Sequence, residues 1–142
     1  MVPNSRQSGN TDAKGLHITQ AGPNLVKKYA YLDAETARQW DPQLAALYYD
    51  QMVHKGKHHH QAVCAVATHL LDRILIILRE DRAYELRDVE GKPVNAAQAR
   101  EIVLSRYQVP EDVRRRNNKR ARQARTDARA EHQQKRETAP AG

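Results

Sequence analysis

The chain has 142 residues, six Tyr, one Trp, no Phe and one Cys, and it opens without a signal-peptide layout, so we expect one small cytoplasmic domain without an internal disulfide. No apolar run reaches the ~18 residues of a membrane span, because Asp72 and Arg73 interrupt the most apolar stretch, residues 70–78, and no membrane partner is expected. The net charge of +7 lies entirely in residues 114–142, which makes this segment the candidate binder of a polyanion.

Composition and apolar spacing divide the chain into four segments. They are an irregular loop (1–22), a helical core (23–86), an extension with one helix (87–110) and a basic tail (111–142). The predicted fold is mainly α: a small helical domain of three to four helices, with an irregular N-terminal loop and a flexible basic C-terminal tail.

Two helices are predicted before the centre of the chain. The first covers residues 23–38, with Pro23 in its first turn and one apolar face formed by Leu25, Tyr29 and Leu32. Asp41 is the expected N-cap of the second helix, which covers residues 43–54 and ends at Lys55-Gly56.

The longest predicted helix follows the polar sequence Gly56-Lys57-His58-His59-His60 and continues to about Arg79. Its apolar residues recur every three or four positions, which predicts the central helix on which the others pack. The stripe consists of Val63, Val66, Ala67, Leu70, Leu71, Ile74, Ile77 and Leu78.

Beyond this helix the chain becomes polar. Residues 84–89 alternate weakly and predict a short strand or an extended arm, and Asn95 is the expected cap of a helix over 96–107. From Glu111 onward, helix propensity is high but no apolar stripe exists, which predicts a solvated, partly helical tail.

The histidines before the central helix admit two interpretations. His54 and His58 have a spacing that zinc sites use, but Gly56 separates them and no second ligand cluster is evident, so a polar helix start at a hairpin corner is favoured and no metal site is predicted. Lys57 at this helix start is a candidate phosphate contact. Cys64 and His60 have the spacing of a nucleophile and its base, although a buried structural cysteine is the favoured interpretation.

Two further features point to phosphate chemistry. Tail residues Arg114–Arg116, Lys119 and Arg120 predict phosphate contact without base stacking, since no aromatic residues are interleaved; a solubilising terminus is the alternative. Ser8 lies in a polar loop with Arg6 and Lys14, where a nucleophilic hydroxyl beside cations and an ordinary Ser-Gly loop are both compatible with the sequence.

An ordered set of short sequences resembles the C-terminal domain of the Piv-type insertion-sequence transposases, over about residues 2–86. The set comprises Val2-Pro3, Ser8-Gly9, Gly15-Leu16-His17-Ile18-Thr19-Gln20-Ala21-Gly22, Lys27-Lys28, Asp41-Pro42, Lys55-Gly56-Lys57, the helix containing Ala62, Ala65 and Ala67 that ends at Leu78-Arg79, and Tyr84. These proteins join a RuvC-like N-terminal half, with four acidic metal ligands, to a helical half that bears a serine. Some of them are recombinases guided by a bridge RNA.

The resemblance implies a function and a site. Ser8 matches the serine that forms a transient covalent link to DNA in the family, and Ser5 is a weaker candidate. Gln20, Pro23 and Val26-Lys27 depart from the family pattern and reduce its positive charge. The residues expected to contact nucleic acid are Arg6, Lys14, Lys27, Lys28, Lys57, Arg114, Arg115, Arg116, Lys119 and Arg120.

A RuvC-like half does not precede Val2 in this chain, so the resemblance implies a truncated copy or one part of a split protein. Mg²⁺ is expected in that other half and not here. The expected partners are DNA, in part of the family a guide RNA, and a second copy or a separate RuvC-like half. Alone, the chain is not expected to recombine DNA. A non-enzymatic nucleic-acid-binding protein that uses the basic tail is the alternative, as is a helical interaction module of unrelated descent.

Overall fold

The computed structural model describes residues 7–8, 11–12 and 23–137, with side chains over 23–134. These residues form two paired two-residue strands, β1 (Gln7–Ser8) and β2 (Thr11–Asp12), and five α-helices. The helices are α1 (Asn24–Ala37), α2 (Pro42–Tyr49), α3 (His59–Glu80), α4 (Ala96–Arg106) and α5 (Glu111–Glu137). The predicted mainly α fold is confirmed.

Helix α1 packs on the core with alanines. Ala30 and Ala34 are buried, whereas the predicted apolar face of Leu25, Tyr29 and Leu32 lies on the other side of the helix and is 47–64% exposed. Small side chains let two helix backbones approach closely, so the alanine face is the one that meets α3. The apolar pattern of α1 is therefore real but does not mark its buried side.

The segment predicted as one helix over 43–54 consists of two parts. Asp41 caps α2 as predicted, its Oδ1 accepting from the backbone N–H groups of Gln43 and Leu44 at 2.8 and 3.0 Å. After Tyr49 the chain widens into a π-helical turn, Asp50–His54, in which the Lys55 N–H donates to the Asp50 carbonyl at 3.0 Å.

Helix α3 is the predicted central helix, and its stripe is covered only at the N-terminal end. Val63 and Val66 are fully buried with Leu44 and Met52, whereas Leu78 is 73% exposed. By length and composition alone, α3 is apolar enough to cross a membrane, a test that core helices also pass. Asp72 and Arg73, near the middle of α3, therefore do not exclude it from the helices that could cross a membrane by length and composition.

The segment after α3 is an extended arm held against α2 and α3. Asp41, 3% exposed, accepts from Arg73 Nη1 at 2.8 Å and from the Tyr84 hydroxyl, and Gln43 Nε2 donates to the Asp88 carbonyl at 2.8 Å. Of the two predicted forms, the structure contains the arm, with one isolated bridge between Arg87 and Pro93. Asp41 therefore joins the start of α2, the middle of α3 and the arm.

Helix α4 begins as predicted, because Asn95 and Gln98 form a reciprocal capping box. The basic tail is helical and largely exposed, as predicted, but it is more extensively helical than expected and is attached to the body. It is helical from Glu111 to Glu137, and its first half docks against the body of the domain.

Candidate nucleic-acid interface

Residues 54–60 form a corner between the π-helical turn and α3. Gly56 has φ +61°, a left-handed conformation that L side chains rarely adopt, and the Lys57 N–H reaches back to the Gln51 carbonyl at 2.8 Å. His58 is the extended residue before α3 and gives the helix no side-chain cap. A chain that leaves one helix and enters another here exposes backbone carbonyls and N–H groups that need partners.

Helix α5 supplies those partners. Asn117, 4% exposed, donates through Nδ2 to the carbonyls of Met52 at 2.8 Å and Lys57 at 3.1 Å. Arg120 Nη2 donates to the Gly56 carbonyl at 2.7 Å, and the Asn118 side-chain oxygen accepts from the His59 N–H at 3.1 Å. The first half of α5 thus caps the end of one helix and the start of the next.

This arrangement concentrates positive charge at the corner. Burial is the main cause that lowers the pKa of His58 below its usual 6.5, and His60, Arg125 and Lys57 lower it further by charge repulsion. Lys57 and Arg125, which are charged at neutral pH, therefore place positive charge beside His58.

Beneath the corner, His59 links α1, α2 and α3. Its Nδ1 lies 2.7 Å from the Tyr48 hydroxyl and its Nε2 lies 2.7 Å from Glu35 Oε1, while Glu35 Oε2 pairs with Arg38 at 2.6 Å. Burial lowers the pKa of His59 more than Glu35 raises it. A neutral ring with its proton on Nε2 can accept from the Tyr48 hydroxyl and donate to Glu35. These half-buried groups thereby link the three helices.

Two alternatives that the sequence left open at this corner, a zinc site and a nucleophilic Cys64, gain no support from the described residues. His60 and His54 pack against the rings of Tyr31 and Tyr49, with centroids 4.9 and 5.7 Å apart. Among the described residues, no group of three His, Cys, Asp or Glu side chains is placed to share a metal. Burial raises the pKa of the Cys64 thiol, the opposite of what a nucleophilic thiolate needs.

Cations predominate on the side of α5 turned away from the body, although Glu111 and Asp112 of its first turn lie on the same side and Arg115 pairs with Glu111 at 3.3 Å. At ~100° per residue, four cations lie within about 60° of the direction opposite Asn117. We call them the outer stripe: Arg115, Lys119, Arg122 and Arg129, all exposed. The acidic residues of the second half, Asp127 and Glu131, lie on the Asn117 side.

The structure unites some of the predicted nucleic-acid contacts and separates others. Lys57 and Arg120 lie at the corner, whereas Arg114, Arg115, Arg116 and Lys119 belong to the docked half of α5, with Arg115 and Lys119 on its outer stripe. Lys27 and Lys28 lie in the first two turns of α1, whereas the corner contacts α1 through Tyr31 and Glu35, farther along.

The predicted N-terminal site is only partly described. The backbone of Ser8 belongs to β1, but its side chain lies outside the described residues, as do Arg6, Lys14 and Ser5.

Sequence reasoning missed two features of α5. Arg122 and Arg129 continue the stripe at spacings of three and seven from Lys119 and Arg122, and that periodicity was present in the sequence as a signal. Asn117 had no such signal, because a single polar residue in a polar tail carries no pattern.

Comparison with known proteins gives one informative relative. "Insertion element IS110 uncharacterized 43.6 kDa protein" of Streptomyces coelicolor is 30% identical over 91 residues. The match covers 64% of this chain and 22% of that protein, so the chain spans less than a quarter of the length of the relative it matches. No family model matches the chain, and no solved structure matches it. The similarity supports a relationship to transposase-type insertion-element proteins.

Proposed function

We propose that the chain is a DNA-binding helical domain of an insertion-element transposase, which grips DNA phosphates with the corner and with α5. The observation that carries this proposal is the docking of α5 through Asn117, because it fixes the direction of the outer stripe. The distant insertion-element relative supports the transposase context.

The physical basis is counterion release. Each phosphate neutralised by Lys or Arg frees a condensed cation from B-form DNA and contributes about −0.9 to the slope of log K against log salt. Arg115, Lys119 and Arg122 lie close in sequence on one exposed side of a single helix, so they can contact neighbouring phosphates together. Such contacts fix position on the duplex and carry no sequence information by themselves.

Binding to labelled duplex DNA by fluorescence anisotropy, over a range of salt concentrations, tests this proposal. The triple variant Arg115→Gln, Lys119→Gln, Arg122→Gln should lower the salt slope by about 2.7, the sum for three phosphates. A matched triple variant at exposed cations elsewhere, Arg79→Gln, Arg82→Gln and Lys92→Gln, controls for net charge. Equal losses in the two variants would mean that binding follows total charge and that the corner and α5 form no interface.

The resemblance adds a catalytic role, in which the Ser8 hydroxyl loses its proton and attacks a DNA phosphate. The new bond to Ser8 displaces one sugar oxygen of the phosphodiester, which takes up a proton and leaves as a free hydroxyl. The described residues include no group of three His, Cys, Asp or Glu side chains placed to share a metal, and Mg²⁺ is proposed to act in a RuvC-like half. We therefore propose that strand exchange requires such a half, supplied by a separate chain or by the remainder of a longer protein.

Co-expression with a candidate RuvC-like half tests the role of Ser8. A covalent protein–DNA adduct that forms with the wild type and is lost in Ser8→Ala supports the nucleophile, with Ser5→Ala as the matched control. The docking of α5 at the corner presents cations without any catalytic group, which favours a second candidate, a non-enzymatic nucleic-acid-binding protein. That candidate predicts no adduct and equal DNA affinity in wild type and Ser8→Ala.

A further inference from the structure

Helix α5 has a docked half and a projecting half. The docked half ends at Ala121, the last partly buried residue among the described side chains of the helix. From Arg122 through Gln134 every side chain is exposed, and at 1.5 Å per residue this part is about 20 Å long. The projecting half is thus an exposed helix, of which the first turns still lie close enough to the corner for Arg125 to lower the pKa of His58.

We infer that the projecting half of α5 inserts into the major groove of double-stranded DNA. This inference rests on the proposed function. It specifies that the nucleic acid is double-stranded DNA and that the helix lies in its major groove. A helix with its side chains is about 10–12 Å across, which matches a major groove of ≈ 12 Å and exceeds a minor groove of ≈ 6 Å. The major groove of an RNA duplex is too deep and narrow to be read by side chains.

The residue types along the projecting half suit a groove. Arg122, Arg125 and Arg129 reach phosphates or guanine edges, and Thr126 and Gln133, which lie near the outer stripe, can bond base edges. Aromatic side chains, which single-stranded nucleic acids require for stacking, are absent from residues 108–142. The composition therefore favours a duplex over a single-stranded guide RNA.

The contact at Asn117 makes this helix ready to bind. Neighbouring cations repel one another, and a short isolated helix forms only partly in water. Asn117 fixes one end of α5 against two backbone carbonyls, so the first turns are already formed when DNA arrives. Asn117 is a positioning residue, because it is buried and cannot itself touch DNA.

A helix break that preserves every charge tests the inference. Ala124→Pro, two turns beyond Asn117, should disrupt the projecting half and leave the body folded, while Ala124→Ser controls for the substitution itself. We expect Ala124→Pro to weaken binding to duplex DNA at least tenfold at fixed salt, with an unchanged thermal midpoint for the body. A change of less than twofold would mean that a disordered basic chain suffices, and would overturn the inference.

Three competing ligands identify the groove. An RNA duplex of the same sequence should bind at least tenfold more weakly, and DNA carrying bulky glucosyl groups in its major groove should also bind poorly. A minor-groove-binding polyamide should not displace the protein. Equal affinity for the RNA duplex, or displacement by the polyamide, would overturn the inference and leave the proposed phosphate binding intact. Absence of binding to every nucleic acid would instead overturn the proposed function, and the inference with it.

Discussion

The side-chain amide of Asn117 donates to the carbonyl of Met52 at 2.8 Å, although the two residues are 65 positions apart in the sequence. Met52 is fully buried in the core, and its carbonyl lies near the end of the π-helical turn, where no further helical N–H follows. The basic helix is thereby part of the folded domain, because it completes the hydrogen bonding of the core helices.

We expect Asn117→Ala to lower the free energy of unfolding by about 1–3 kcal/mol, because it leaves buried carbonyls without donors. Denaturation in urea measures this change. Gln123→Ala on the same helix, which removes only an exposed hydrogen bond to Asp127, should change stability by less than about 0.5 kcal/mol. Similar losses in both variants would show that the buried contacts of Asn117 contribute no more than an exposed hydrogen bond.

Gly56→Ala should destabilise the domain for two reasons. The left-handed backbone costs about 1–2 kcal/mol for a residue with a Cβ, and that Cβ would lie 3.1 Å from Arg120 Nη2. Gly91 is the matched control, because its φ is also positive, at +85°, and nothing lies within 4 Å of its Cβ position. A greater loss for Gly56→Ala, measured by thermal unfolding, would report the disturbed contact with α5, whereas equal losses would leave only backbone strain.

Acid should destabilise the fold through His59. Its pKa is lower in the folded state than the usual 6.5, so below about pH 6.5 the unfolded chain binds more protons and unfolding becomes easier. The stabilisation by neutral His59 is fully present above pH 6.5, and it is lost as the pH falls toward the pKa of His59 in the folded state. In urea titrations at several pH values, His59→Gln should have a flatter pH dependence between pH 6.5 and 5 than the wild type. An unchanged slope would place the acid sensitivity elsewhere, with His58→Gln as the next variant, since the pKa of His58 is lowered in the same direction.

Alkali should act through Tyr84. Burial first, and then its hydrogen bond to Asp41, raises the pKa of Tyr84 from 10.0 to about 12. Between pH 10 and 12 the folded protein retains a proton that the unfolded chain has lost, so stability should decline as the pH rises through this window. Tyr84→Phe should remove that decline, and its ultraviolet titration should lack the last tyrosine to ionise. A wild-type titration that is complete near pH 10 would contradict this prediction.

Asp41 should be among the most sensitive positions in the body. Asp41→Ala removes the cap of α2 and leaves Arg73 and Tyr84 without their shared acceptor. A loss of about 3–5 kcal/mol is expected from breaking a buried charged network. Tyr84→Phe, which removes one member only, should cost about 1 kcal/mol at neutral pH. A comparable small loss for Asp41→Ala, by urea denaturation, would mean that the network contributes little.

Local patterns in the sequence predicted much of the fold. The caps at Asp41 and Asn95 and the stripe of α3 are short-range signals, because each is produced by residues within a turn or two of one another. The burial of α1 was harder to predict, since its large apolar residues lie outside and its alanines inside. Which of two apolar faces packs depends on the shape of the neighbouring helix, and that is a tertiary property.

The residues of the candidate interface were identified from the sequence, but their arrangement in space was not. The basic tail and Lys57 were identified from charge alone, yet nothing local links residues near 57 to residues near 117. Their contact depends on the buried side-chain amide of Asn117, which donates to backbone carbonyls. Every residue has a backbone carbonyl, so the pattern of side chains does not indicate which carbonyls are bonded. The resemblance supplied Ser8, whose side chain lies outside the described residues, and its role stays a prediction.

The buried amide of Asn117 also fixes the orientation, about the helix axis, of the residues that follow it in α5. One residue inserted before Asn117 would shift the segment between α4 and Asn117. The residues of the outer stripe that follow Asn117 would keep their orientation relative to the body. One residue inserted between Ala121 and Arg122 would rotate the projecting half by ~100° and turn Arg122 and Arg129 toward a different side of the molecule. Tolerance to insertion and deletion should therefore change abruptly at this position, although the composition of the tail is almost uniform on both sides of it.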